Sequence, residues 1–113
     1  MAGIRRYVYK AGTTVLGGQD VINLDYSKVL FEVSAVVDIV SGSTVWGIEF
    51  TVDDIQRTDF DPTTARWLVD ASLPLGQTTS GIYKFSTAIT AIRLNLTALT
   101  GEVRFTVIQG LDP

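Results

Sequence analysis

Residues 93–110 read RLNLTALTGEVRFTVIQG. Around the start of this stretch, Ile92, Leu94 and Leu96 fall on one side of an extended chain, and Arg93, Asn95 and Thr97 on the other. That alternation is the mark of a strand with one buried face. The second half repeats it, with Val103, Phe105 and Val107 against Glu102, Arg104 and Thr106. The intervening ALTGE has the length and the glycine of a hairpin loop, so the stretch is expected to form two strands paired as a hairpin. It is well suited to making sheet and carries almost no reactive chemistry.

The same period of two runs through the rest of the chain. STVWGIEFTVD places Trp46, Ile48, Phe50 and Val52 on one face, and KVLFEVSAVVDIV does so with Val29, Phe31, Val33, Ala35, Val37 and Ile39. The Ser-Gly-Ser between these two long runs suits a tight reversal, which predicts a central antiparallel hairpin. Shorter strands are expected at IRRYVYK, TTVL, DVINLD, RWLVDAS and GIYKFST. The one helix-like start is DFDPTTARWLVD, where Asp61 and Pro62 imitate a cap and first helical position, and a single turn is the most expected there. About eight or nine short strands and no long linker predict an all-β fold. The expected architecture is an antiparallel β-sandwich, jelly-roll-like, with residues 1–113 forming a single domain and residues 1–12 a candidate N-terminal interaction arm.

Composition narrows the chemistry. Apolar residues make up 46% of the 113 and charged residues 19%, the balance of a folded globule. The formal charge of −3 argues against general attraction to nucleic acid. No cysteine is present to form a disulfide or a thiolate ligand, and no histidine to act as general base or metal ligand. The opening MAGIRRYVYK has no apolar run before its charges, so neither a signal peptide nor a membrane span is expected there.

Four places invite a functional reading. Asp53, Asp54, Asp59 and Asp61 crowd one stretch, yet their spacing fits no calcium loop, and a polar loop with local turns is the expectation. Glu32 and Glu49 lie opposite the apolar stripes of the two long strands and invite comparison with a glycosidase pair, although solvation is the commoner role for such glutamates. No histidine is available to activate a serine, so no catalytic residues, metal ligands or cofactor are assigned and the chain is not expected to be an enzyme. Trp46 shares its register with Ile48 and Phe50, and Trp67 alternates with Val69 and Ala71, so both are expected in the core rather than on a sugar platform. Asn95 fits a glycosylation pattern but sits within a strand, and it is set aside.

The fourth place is IRRYVYK, where Arg5, Arg6 and Lys10 interleave with Tyr7 and Tyr9. An ordinary edge strand guarded by exposed cations is the first reading, a protein interface the second, and stacking on single-stranded nucleic acid the third. As an interface, these five residues are grouped with Leu111, Asp112 and Pro113 at the other end of the chain, by position and composition.

Residues 66–110, with their tryptophan strand, the strand opening GIYKF and the run AIRLNLTALTGEVRFTV, resemble the small all-β virion proteins of tailed bacteriophages, above all capsid decoration or cement proteins. The resemblance implies a jelly-roll or related sandwich that assembles as a dimer or trimer. It also implies a place on the outer capsid surface, assembly in the host cytoplasm, and the major capsid protein as partner, with no membrane or direct nucleic-acid role. Similar repeats occur in tail-associated carbohydrate- or receptor-binding modules, which form the alternative. For that alternative, Trp67 and the acidic stretch are the candidate surface.

Overall fold

In a computed structural model, the structure describes residues 3–24, 32–53, 65–86 and 89–109. Among these, the strands are β1 (Gly3–Lys10), β2 (Gly17–Gly18), β3 (Ile22–Asn23), β4 (Val33–Ser41), β5 (Thr44–Thr51), β6 (Gly81–Phe85), β7 (Ala91–Leu99) and β8 (Glu102–Gln109). The chain is all-β and antiparallel, as its alternation predicts.

Strand partners differ from the two predicted hairpins. β7 does not pair with β8, nor β4 with β5. Instead β4 pairs with β8 from Val33↔Gln109 to Ser41↔Glu102, and β5 pairs with β7 from Thr44↔Leu99 to Thr51↔Ala91. Segments 33–51 and 91–109 therefore form one long antiparallel ribbon, folded over at Gly42 and Gly101 so that each half lies in a different sheet. A hairpin and a corner between sheets need the same period of two and the same small turn residues, so local sequence does not separate them.

The same fold-over recurs along the molecule. β1 flanks β8 in the first sheet, while β2 and β3 flank β7 in the second, on the edge opposite β5. Likewise β6 flanks β4, while Leu68 and Gln77 bridge to Phe50 and Trp46 on the outer edge of β5. The first sheet is ordered β1-β8-β4-β6, and the second runs from β2 and β3 through β7 and β5 to these two bridges. Each neighbour relation in one sheet is repeated in the other, which is the arrangement of a jelly roll.

The core lies between the sheets. Val33, Ala35, Val37, Val103, Phe105 and Val107 of the first face Ile22, Trp46, Ile48, Ile92, Leu94 and Leu96 of the second, all of them buried. The apolar stripes foreseen on β4, β7 and β8 point inward. Val52 does not, because β5 ends at Thr51 and leaves it exposed. Residues 13–16, expected as a strand, form a turn and bend, and the 66–72 stretch contributes a single bridge at Leu68. Val29, Phe31 and the first half of the helix-like stretch, 59–64, fall outside the described residues, and its second half, 65–70, forms no helical turn.

The corner is tight. A Cβ on Gly101 would sit 2.1 Å from the Ser41 carbonyl oxygen, and Gly42 holds a φ of 70°. Thr100 N–H donates to Ser43 O at 2.9 Å, Ser43 N–H donates to Thr100 Oγ1 at 2.8 Å, and Ala11 N–H donates to Gly101 O at 2.9 Å. Three chain segments thus meet where the sheets join.

Two outcomes follow for denaturant unfolding. Gly101→Ala should lower stability by about 2–4 kcal/mol, since backbone rather than a yielding side chain blocks the methyl group; Gly12→Ala has a positive φ but open space and should cost only about 1–2 kcal/mol. Thr44 Oγ1, buried with no hydrogen-bond partner among the described residues, loses nothing on replacement, so Thr44→Val should leave stability equal or raise it by about 1 kcal/mol.

Candidate interaction surface

Strand parity sorts the β1 candidates. Tyr7 and Tyr9 turn inward with the core, with rings stacked at 6.4 Å, and Arg5 shares their side of the strand. Tyr9 is only 6% exposed and its hydroxyl donates to Asp20 Oδ2 at 2.9 Å. Burial, then the Asp20 carboxylate, pushes the Tyr9 hydroxyl well above its ordinary pKa of 10.0. Tyr9 is therefore a core residue and offers no surface, and Tyr7 packs against the same cluster. Residues 3–10 pair with β8 along their full length, so they form an edge strand and not a free arm. Arg6 and Lys10 remain on the outer face, while Leu111, Asp112 and Pro113 lie outside the described residues.

The register of the first sheet builds its outer face row by row. Ile4, Ile108, Ser34 and Lys84 form one row, and Arg6, Thr106, Val36 and Ile82 the next. Val8, Arg104 and Asp38 form a third, and Lys10 and Glu102 stand beside the corner. Ile4 and Ile82 are 67% and 69% exposed, and Val8, Val40 and Ile108 are exposed as well. With directly opposed side chains about 5 Å apart, Ile4, Ile108, Val36 and Ile82 make an apolar diagonal across all four strands. Between its members lies a shallow depression of about 300 Å³ lined by Arg6, Val36, Asp38, Arg104, Thr106 and Ile108.

Cations surround the diagonal. Arg6 Nε donates to Thr106 Oγ1 at 3.3 Å and Arg104 Nε to Glu102 Oε2 at 3.3 Å. Arg6, Lys10, Lys84 and Arg104 stand against Asp38 and Glu102, with Glu32 exposed at the border just ahead of β4, so cations outnumber carboxylates here among the described residues. Of the other described residues, Arg5, Arg66 and Arg93 stand against Asp20, Glu49, Asp53 and Asp70.

The outer face of the second sheet is built differently, because it is covered by its own side chains. Arg93 Nε donates to Glu49 Oε1 at 2.8 Å, Asn95 Nδ2 donates to the same oxygen at 3.2 Å, and the Arg93 guanidinium lies 4.1 Å from the centre of the Trp67 ring. Gly18 admits this arginine, since a Cβ there would meet its Cζ at 2.5 Å, and Gly47 admits Leu75 in the same way. Trp67 is accordingly half-buried on this outer face and not in the core, whereas Trp46 is a core residue whose Nε1 donates to Thr79 O at 3.0 Å. Glu49 is held in that network, and Glu32 is an exposed residue just ahead of β4 in the other sheet, so the two do not form a carboxylate pair.

Of the acidic stretch, Asp53 is described: its Oδ2 accepts Arg66 N–H at 2.8 Å and its carbonyl accepts the Thr90 hydroxyl at 2.8 Å. Both bonds are loop tethers. Asp54, Asp59 and Asp61 lie outside the described residues, and among those described no three His, Cys, Asp or Glu residues gather as a metal site.

The surface residues missed by the sequence reading are Ile4, Val8, Val36, Ile82 and Ile108. A signal was present: Val36 beside Val37, Ile82 beside Tyr83 and Ile108 beside Val107 put apolar side chains at both parities of one strand. One inward set fills the core, and the other must face something else.

The Asp70–Tyr83 contact ties the 70–72 turn to β6. The Tyr83 hydroxyl donates to Asp70 Oδ2, and Ser72 N–H and Oγ each donate to Asp70 Oδ1 at 2.8 Å. The Tyr83 hydrogen bond, then those from Ser72, hold the Asp70 carboxyl below its ordinary 3.8. A carboxylate with a lowered folded pKa stabilises the fold above its unfolded value, and the contribution is lost as pH falls through the folded one. In a carbon-13 NMR titration, Asp70 should therefore titrate below 3.8 in the native chain and move upward in Tyr83→Phe; an unchanged midpoint would count against the tether.

The chain matches no family model, no curated protein and no solved structure.

Proposed function

We propose that this chain is a structural virion protein of a tailed bacteriophage, a cement or decoration protein that binds the outer surface of the major capsid shell and stabilises it. The observation that carries the reading is the contrast between the two outer faces: one sheet is covered by its own Trp67–Arg93–Glu49 network, and the other presents a bare apolar diagonal ringed by cations. The likeness of residues 66–110 to such proteins supports it from the sequence side. A jelly roll also suits the work, because chain segments that run through both sheets tie them into one unit.

Magnitudes say how such attachment works. The four strands, of eight, eight, nine and five residues, span roughly 500 Å² in projection at about 3.4 Å per residue and about 4.8 Å between strands. A stable protein interface buries about 800 Å² on each partner, so one copy alone holds weakly. Assembly as a dimer or trimer, repeated by shell symmetry, multiplies many modest contacts into firm attachment.

Quantitative mass spectrometry of purified particles tests the reading, with the tryptic peptide LNLTALTGEVR, residues 94–104, measured against peptides of the main shell protein. Copy number comparable to the shell protein is the expected result. A few copies per particle would favour a tail-associated binding module instead, and absence from particles would overturn both.

A further inference from the structure

Resting on that reading, we infer that the outer face of the first sheet docks a protein surface of defined chemistry: an apolar strip flanked by carboxylates. The partner is the shell and not a second copy of this chain.

Charge selects the partner. Four of the seven described cations stand on this one sheet face, in a chain whose formal charge is −3, and they outnumber the carboxylates beside them. Complementary potentials steer encounter and fix register, while juxtaposed like charges are costly. Two copies meeting face to face across a two-fold axis would set these four cations against the same four, Arg6 and Arg104 among them. A carboxylate-bearing partner removes that repulsion and pairs the same two arginines. Neither is committed elsewhere to a buried acid: Arg6 reaches Thr106, and exposed Arg104 makes only a 3.3 Å contact with half-buried Glu102 on its own strand.

The apolar diagonal supplies the attraction and the cations supply the selection. Ile82 is the informative position, because it lies at the edge strand β6, is 69% exposed, and has Lys84 two residues along on the same face. If docking were apolar alone, glutamate and lysine at position 82 would weaken it equally. A carboxylate-bearing partner breaks that symmetry: glutamate is repelled, while lysine regains part of the lost contact.

The experiment is co-sedimentation of the full chain with shells of the source phage freed of this protein. Native chain, Ile82→Glu, Ile82→Lys and Thr97→Glu are compared; Thr97 is exposed on the outer face of the second sheet and serves as control. Binding is expected to weaken about a hundredfold in Ile82→Glu, less than about tenfold in Ile82→Lys, and not at all in Thr97→Glu. Equal loss in both Ile82 variants, or greater loss with lysine, would overturn the inference while leaving the cement reading in place.

A native chain that fails to bind shells would overturn the cement reading instead. The surface chemistry is then decided by an NMR titration with an alternating Glu–Leu peptide against a Lys–Leu peptide. Amide shifts in β1, β8, β4 and β6 with the Glu–Leu peptide alone sustain it, and equal or absent shifts overturn it. Sedimentation velocity completes the set: self-association abolished by Ile82→Glu would assign the face to a second copy and reject the shell as its partner.

Discussion

Everything in this molecule depends on the line along which three chain segments pass from one sheet to the other. At that line the backbone of Gly101 approaches Ser41 so closely that no side chain fits, and Gly42 takes a conformation that other residues adopt only with strain. The hydrogen bonds between Ser43 and Thr100 and from Ala11 to Gly101 satisfy polar groups at a place where both ladders are interrupted. Because the segments cross together, neighbours in the first sheet are neighbours in the second. The two apolar stripes of each segment then face one another across the core, with no long connection needed to bring them there.

This constraint also explains why the two faces differ. Residues 65–77 run along the outer edge of β5 and fold back over the second sheet, which lets Leu75 settle on Gly47 and brings Trp67 onto Arg93. No described segment plays that part on the first sheet. Its outer positions keep Ile4, Val36, Ile82 and Ile108 without the polar lid that their counterparts on the other side receive, and four of the seven described cations gather around them.

Parity was legible in the sequence, and pairing was not. Ile92, Leu94 and Leu96, Val103, Phe105 and Val107, and Val33, Ala35 and Val37 all turn inward, because alternation is a local property of an extended chain. Which strand lies beside which is a non-local choice, and Ser-Gly-Ser and Thr-Gly serve a hairpin and a corner equally well. In IRRYVYK both parities mix apolar and cationic residues, so the inward turn of Tyr7 and Tyr9 was decided by their neighbours. Trp67 was misplaced for a related reason: its apparent alternation belongs to a stretch that pairs at Leu68 alone.

The position of segment 91–109 bears on how the chain is made. β8 lies between β1 and β4, and β7 lies between β5 and the β2–β3 flank, so the segment synthesised last of the four is the inner partner in both sheets. During translation, β1 and β4 have no strand to join them, and their apolar faces wait without a second sheet. The second sheet cannot close until β7 has cleared the ribosome, nor the first until β8 has. Folding therefore waits on segment 91–109 and is governed by long-range pairing, which makes it correspondingly slow. A chain stalled short of its last two strands would present uncovered strand edges, the form in which sheet proteins are most prone to associate wrongly.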